Sequence, residues 1–334
     1  MAVGGLGSSL LLMSGVVVAV GLCRRLTRRR LRSHPRLFAF LVEMFSTFQI
    51  CACTNELSLL GNVEPKPHTA LTLTYGFTVL HGLTLAGSTC NPCGTLQPMW
   101  GGTTSLRMGG LKIAAQFVAA VLARVFMHFI WSLEMAEPHF GALSQGCSSP
   151  MQTTEMQAFC IELLFSVVFQ LAVLRSESVN PKYRVHLIAL LITMLVYAGG
   201  NLTGAVFNPA LAFSLHADCF YDKFLSYSLV YWIAPALGKF LILYVFEKVL
   251  FSTWFKNQEI AILYLVVCSF SALNKIQKIV NCNLCVKIIQ NHGFILQIHR
   301  LCILLLFSAP CRVPVTLFCE SQNGLGWEGP LKII

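Results

Sequence analysis

The residues of this chain whose types and spacing point most directly to chemistry are two short boxes, Asn91-Pro92-Cys93 and Asn208-Pro209-Ala210. Proline is favoured at the first position of a helix, where its missing N–H would go unpaired, and asparagine just before it is a strong N-cap. Each box therefore predicts a helix start. Two such starts aimed at one point inside a membrane bring their positive dipole ends together, which repels cations. The capping amides can also offer N–H donors to a passing oxygen and hold it in one orientation. This chemistry orients and selects a solute without making or breaking bonds. A lone Asn-Pro marks only a turn, so the weight falls on there being two copies.

The copies occupy matching positions. Glu43 lies 48 positions before Asn91, and Glu162 lies 46 before Asn208. The segments from Gly87 to Cys93 and from Gly204 to Ala210 share the pattern Gly-x-x-x-Asn-Pro-small. Three apolar spans separate the boxes, and an odd number places them on opposite membrane faces. That is the inverted repeat which builds a site near the bilayer midplane. Glu43 and Glu162 are ionisable groups within apolar spans, and such groups are costly unless they do something.

The elements that must carry the boxes are helices in a bilayer. With 55% of its 334 residues apolar and 11% charged, the chain has too little charge to coat a soluble domain of this size. Six spans can be drawn at about 37–57, 69–88, 111–132, 157–175, 184–201 and 227–251. Arg24, Arg25, Arg28, Arg29, Arg30, Arg32 and Arg36 precede the first span, which places that connection in the cytosol. Alternation then puts Arg107 and Lys112, and later Arg175, Lys182 and Arg184, on the same side. The connection from Leu133 to Glu155 holds acids and no Lys or Arg, as the opposite face requires. The net charge of +10 is thus explained by topology, and no nucleic-acid partner is expected. An earlier apolar stretch, 7–22, has its basic run after it, so it is expected to be an uncleaved reverse signal-anchor or an interfacial segment.

These residues resemble the aquaporins, and the Asn-Pro-Cys box is similar to that of the family's unorthodox superaquaporin branch. The resemblance covers residues 37 to about 255. It rests on the two boxes, Glu43 and Glu162, Ala115 and Gln116, the stretch from Tyr197 to Gly204, and Tyr231 to Pro235. It implies an all-α membrane protein with six transmembrane helices and two re-entrant half-helices. The chain would then divide into an N-terminal arm (1–36), a channel domain (37–256) and a tail (257–334). Within the channel domain, the two repeats would be 37–135 and 155–253. It also implies a channel for water and small neutral solutes in a homotetramer of endoplasmic reticulum or other intracellular membranes, with the plasma membrane as the alternative. No Ser-His-Asp set, paired carboxylates or metal cluster can be placed in one cavity, so no enzyme activity, cofactor or metal is expected. Glu43, Glu162 and Gln116 would support the box loops.

Two positions depart from the water-selective pattern. The residue after the second box is Leu211, where water-selective aquaporins hold arginine. The position of their pore histidine is Val196. A constriction of Val196, Ala205 and Leu211 is apolar and is expected to favour glycerol and hydrogen peroxide relative to water. The alternative is a scaffold that keeps the architecture and does not conduct. Cys93 adds a thiol that either fills volume or acts as a redox-sensitive gate. Cys147 and Cys219 both fall on the non-cytosolic side, where oxidising conditions permit a disulfide. His81 and His186 read as packing residues. Asn201-Leu202-Thr203 matches a glycosylation sequon, but its place before a re-entrant loop argues against modification. The tail, with Cys282, Cys285, His292 and His299, is expected to be unstructured.

Overall fold

The computed structural model describes residues 2–249 except 64–66, 145 and 148. The tail and its cysteine and histidine residues lie outside the described residues. The long helices are α1 (Ala2–Arg30), α2 (Pro35–Val63), α3 (Pro67–Thr84), α5 (Leu106–Ser132), α6 (Glu155–Ser176) and α7 (Pro181–Thr203). Two short helices, α4 (Pro92–Trp100) and α8 (Pro209–Leu215), begin at the two boxes. After α8 come α9 (Ala217–Asp222) and α10 (Phe224–Ser228), which continues through a π turn (Leu229–Ile233) into α11 (Ala234–Val249). The starts follow local sequence. Ser105 caps α5, Thr154 and Gln157 form a reciprocal capping box on α6, and Asn180 caps α7 ahead of Pro181.

Among the described residues, six helices have the length and hydropathy of a membrane span, and Gly5–Arg30 is one of them. The stretch 7–22 is therefore the middle of a helix long enough to cross. Its two ends lie against opposite ends of the bundle. Near the carboxyl end, the Arg24 guanidinium donates to the carbonyls of Thr84 and Ala86. Near the amino end, a Cβ on Gly5 would lie 3.0 Å from Pro138, in the turn that follows α5. Ser9 on α1 also donates to Glu56 Oε1 (2.5 Å), which pairs with His139 Nε2 at 2.9 Å, while Trp131 Nε1 donates to Glu56 Oε2. Buried Met13, Val16 and Val20 fill the contact in between. The helix α1 thus runs the length of the bundle beside the expected spans.

Helix α3 is less apolar than those six, because threonine and histidine dilute its apolar residues. The hydroxyls of Thr72, Thr74, Thr78 and Thr84 donate to carbonyls one turn back, which satisfies them inside the helix. It runs back from the end of α2 to the level of Arg24, so it crosses as well. It ends at Thr84, four residues before the expected limit, because Arg24 takes the terminal carbonyls and Gly87 turns the chain at φ +87°.

The packing is paired. Helix α2 packs on α5, α6 on α11, and α3 on α7. Between α6 and α11 the approach is close: a Cβ on Gly238 would lie 3.0 Å from the Leu163 carbonyl, and Ser166 Oγ donates to the Pro235 carbonyl across it. Each half-helix sits inside this frame, α4 against α5 and α11, and α8 against α5 and α2. A Cys147–Cys219 disulfide ties the connection after α5 to α9.

Candidate functional site: the paired asparagine boxes

Asn91 and Asn208 are both extended N-caps, and each takes the next turn's amides on its side-chain oxygen. Asn91 Oδ1 accepts from Cys93 N at 2.9 Å, and Asn208 Oδ1 from Ala210 N at 3.2 Å and Leu211 N at 3.4 Å. The other end of each amide crosses to the opposite box. Asn91 Nδ2 donates to the Phe207 carbonyl at 3.3 Å, and Asn208 Nδ2 to the Cys90 carbonyl at 2.9 Å. The two half-helices therefore meet amino end to amino end. An amide nitrogen has two N–H groups and the cross-bond uses one. Asn91 and Asn208 keep 7% and 8% of their surface accessible, a narrow exposure at the point where the two boxes meet.

The approach to each box is strained and held by a carboxylate. Cys90 (φ +53°), Ala205 (φ +49°) and Phe207 (φ +36°) adopt left-handed backbone that residues with a Cβ avoid. Glu43 Oε1 accepts from Thr89 N (3.0 Å), Cys90 N (2.6 Å) and Thr89 Oγ1 (2.8 Å). Glu162 does the same for the second box, accepting from Val206 N (3.2 Å), Phe207 N (2.8 Å) and Thr203 Oγ1 (2.7 Å). These bonds compensate the strain in both repeats. Gln116 Nε2 lies within 3.0 Å of Glu43 Oε1, Thr89 Oγ1 and Thr95 Oγ1. In the second repeat the corresponding support is Tyr231, whose hydroxyl donates to the Thr203 carbonyl at 2.6 Å.

Pro92, Cys93, Pro209 and Ala210 are buried behind the asparagines. Cys93 retains 1% of its surface, a burial that suits packing better than reaction with a dissolved reagent. Val196 and Ala205 share one apolar cluster with Phe207, whereas Leu211 packs in the other, beside Ala210 and Phe213. The three expected constriction residues are thus divided between the two clusters. The Thr203 hydroxyl of the Asn201 sequon is buried on Glu162, whereas Asn201 itself is exposed.

Several partners were not evident from the sequence. Arg24 reaches Ser88 Oγ, and Ser88 Oγ lies 2.8 Å from Ser46 Oγ, so α1 helps hold the loop before the first box. His216 is half-buried beside Gly204, its ring 5.8 Å from that of Tyr231. Lys239 is a fully buried cation in α11. A lysine inside an apolar run is itself a signal for function, and it would have marked this residue. Thr203 and Arg24 offered no comparable signal, because their roles depend on which loop folds back onto them.

Comparison with known proteins agrees with this geometry. The sequence pattern of the family described as major intrinsic protein matches residues 6–246. Aquaporin-11 of Equus caballus is 45% identical over 253 residues, covering 75% of this chain and 92% of the relative. Aquaporin-11 of Homo sapiens is 43% identical with the same coverage, and aquaporin-12 of Mus musculus is 32% identical, covering 58% of this chain and 69% of its own. Among solved structures, the aquaglyceroporin from Plasmodium falciparum superposes with a TM-score of 0.54 at 15% identity, covering 64% of this chain and 97% of that one. With its matched half-helices, reciprocal asparagine bonds and these relatives, this chain belongs to the major intrinsic protein family, the aquaporins, and is a membrane channel for water or small solutes.

Proposed function

We propose that the channel conducts water together with small uncharged solutes, glycerol and hydrogen peroxide among them, past Asn91 and Asn208. The observation that carries this reading is the pair of cross-bonds from each asparagine to the carbonyl before the other box. They fix both amides at one point, where a hydroxyl or water oxygen meets two donors and two helix amino ends. Val196, Ala205 and Leu211 form the constriction in this reading. Their side chains offer no donor to a permeant, so they discriminate by size and leave charge exclusion to the half-helix dipoles. Proteoliposome flux assays test it. Glycerol and peroxide fluxes should exceed those of empty liposomes, and Leu211→Arg should lower glycerol flux about tenfold while water flux changes far less, equivalent to roughly 1.4 kcal/mol of barrier. Solute fluxes at the empty-liposome level alongside raised water flux would reject the apolar filter.

We place the channel in the endoplasmic reticulum or a related intracellular membrane, as a homotetramer. The Cys147–Cys219 disulfide supports an oxidising compartment on the face opposite the arginine-rich connection. Native mass spectrometry of the detergent-solubilised protein checks the tetramer. Water flux no greater than that of empty liposomes would favour the non-conducting scaffold.

A further inference from the structure

The inverted repeat carries a second matched pair besides the asparagines and the glutamates. Arg124 on α5 lies 33 positions after Asn91, and Lys239 on α11 lies 31 after Asn208. Each is on the third long helix of its repeat, and each reaches the half-helix of the other repeat. Arg124 donates to the carbonyl of Leu215, the last residue of α8, and to Asp218 just beyond it. Lys239 Nζ donates to Gln97 Oε1 at 2.6 Å, in the last turns of α4, and to Gln170 Oε1 at 3.1 Å on α6. Both cations therefore sit where a helix presents the negative end of its dipole.

The two are not equal in charge balance. Arg124 forms an ion pair with Asp218, whereas Lys239 is 0% exposed and bonds two neutral amide oxygens. No ion pair to Lys239 occurs among the described residues. A lysine of that length usually extends its amine to water; this one has no path to do so, and its charge acts across protein on everything near α4. Its bond to Gln97 places it against the half-helix that begins at the first box. An apolar replacement would avoid the desolvation of a buried cation, so packing alone gives no reason for a lysine here.

We propose that Arg124 and Lys239 are positioning residues that pin the carboxyl ends of the opposite repeats' half-helices, and that Lys239, which forms no ion pair among the described residues, adds a positive potential which bars cations at the boxes. The second part rests on the channel reading; the first does not. Leu211 offers no charge after the second box, so the fixed cation behind the first box supplies the exclusion from the other side.

The test uses full-length native protein and Lys239→Met, Lys239→Arg and Arg124→Met, reconstituted for water flux and for potassium leak under an imposed potential. Amide exchange of the half-helices is read by mass spectrometry on the same proteins. Lys239→Met should raise potassium leak about tenfold with little change in water flux, the order expected from removing one buried charge at an effective dielectric near 20. Lys239→Arg should behave as native. Lys239→Met should speed exchange in Pro92–Trp100 alone, and Arg124→Met in Pro209–Leu215 alone. Unchanged leak in Lys239→Met would overturn the electrostatic role. Exchange that rises in both half-helices, in neither, or throughout the chain would overturn the pinning. Native water flux at the empty-liposome level would count against the channel reading, and the exchange pattern would still decide the pinning.

Discussion

Glu43 and Glu162 show how a carboxylate inside a span can be structural. Each accepts two consecutive backbone N–H groups from the loop that turns left-handed into a box, and a threonine hydroxyl besides. Replacing either with alanine orphans those buried donors at about 1–3 kcal/mol each. Glu43→Ala should therefore lower the detergent melting temperature sharply and abolish water flux; a variant that melts and conducts like the native protein would refute the support role. The asparagines, glutamates and Gln116 were legible in the sequence because each is a polar type out of place in an apolar run. Their hydrogen-bond partners were not. Cys90 and Phe207 contribute carbonyls, and a carbonyl is present in every residue, so only the fold shows which one meets Asn208 or Asn91.

Among elements, α1 changes the account most. Its apolar core of 7–22 was visible, but its extent was not, because Arg24, Arg25 and Arg28 to Arg30 belong to the same helix. Arg24 is buried and spends its donors on the end of α3 and the loop to the first box. Arg24→Met leaves those carbonyls without their buried partner, and the expected loss is about 1–3 kcal/mol of stability with faster amide exchange at residues 85–90. Unaltered exchange there would show that α1 packs beside the channel without holding its loop. The glycine and proline signals read the half-helices correctly, since Asn-Pro starts a helix in either repeat. The end of α3 was misplaced because residues 85–88 are apolar or small and read like more span, while the cap that stops the helix comes from another element.

At the scale of the whole molecule, two bundles of three crossing helices each lend a half-helix to the same point, and the connections hold that arrangement from both faces. The Cys147–Cys219 bond closes a separation of 72 residues, and loop-closure entropy gives it roughly 4 kcal/mol. Reductant, or Cys219→Ser, should lower the melting temperature while leaving α1 to α4 protected from exchange; equal melting with and without reductant would remove the bond from the stability account. The inverted topology was legible from the spacing of the boxes and the arginine bias, whereas the disulfide was only permitted by sidedness, since Cys147 and Cys219 carry no pairing signal in their spacing. The central claim is that Asn91 and Asn208 together make one conducting point. Stopped-flow water permeability of proteoliposomes holding native protein or the Asn91→Asp, Asn208→Asp double variant tests it directly. Native protein should shrink vesicles several-fold faster than empty liposomes, and the double variant, which loses the amide donors of both cross-bonds, should fall to the empty-liposome rate. Equal rates for native and double-variant vesicles, at matched protein content, would contradict the account.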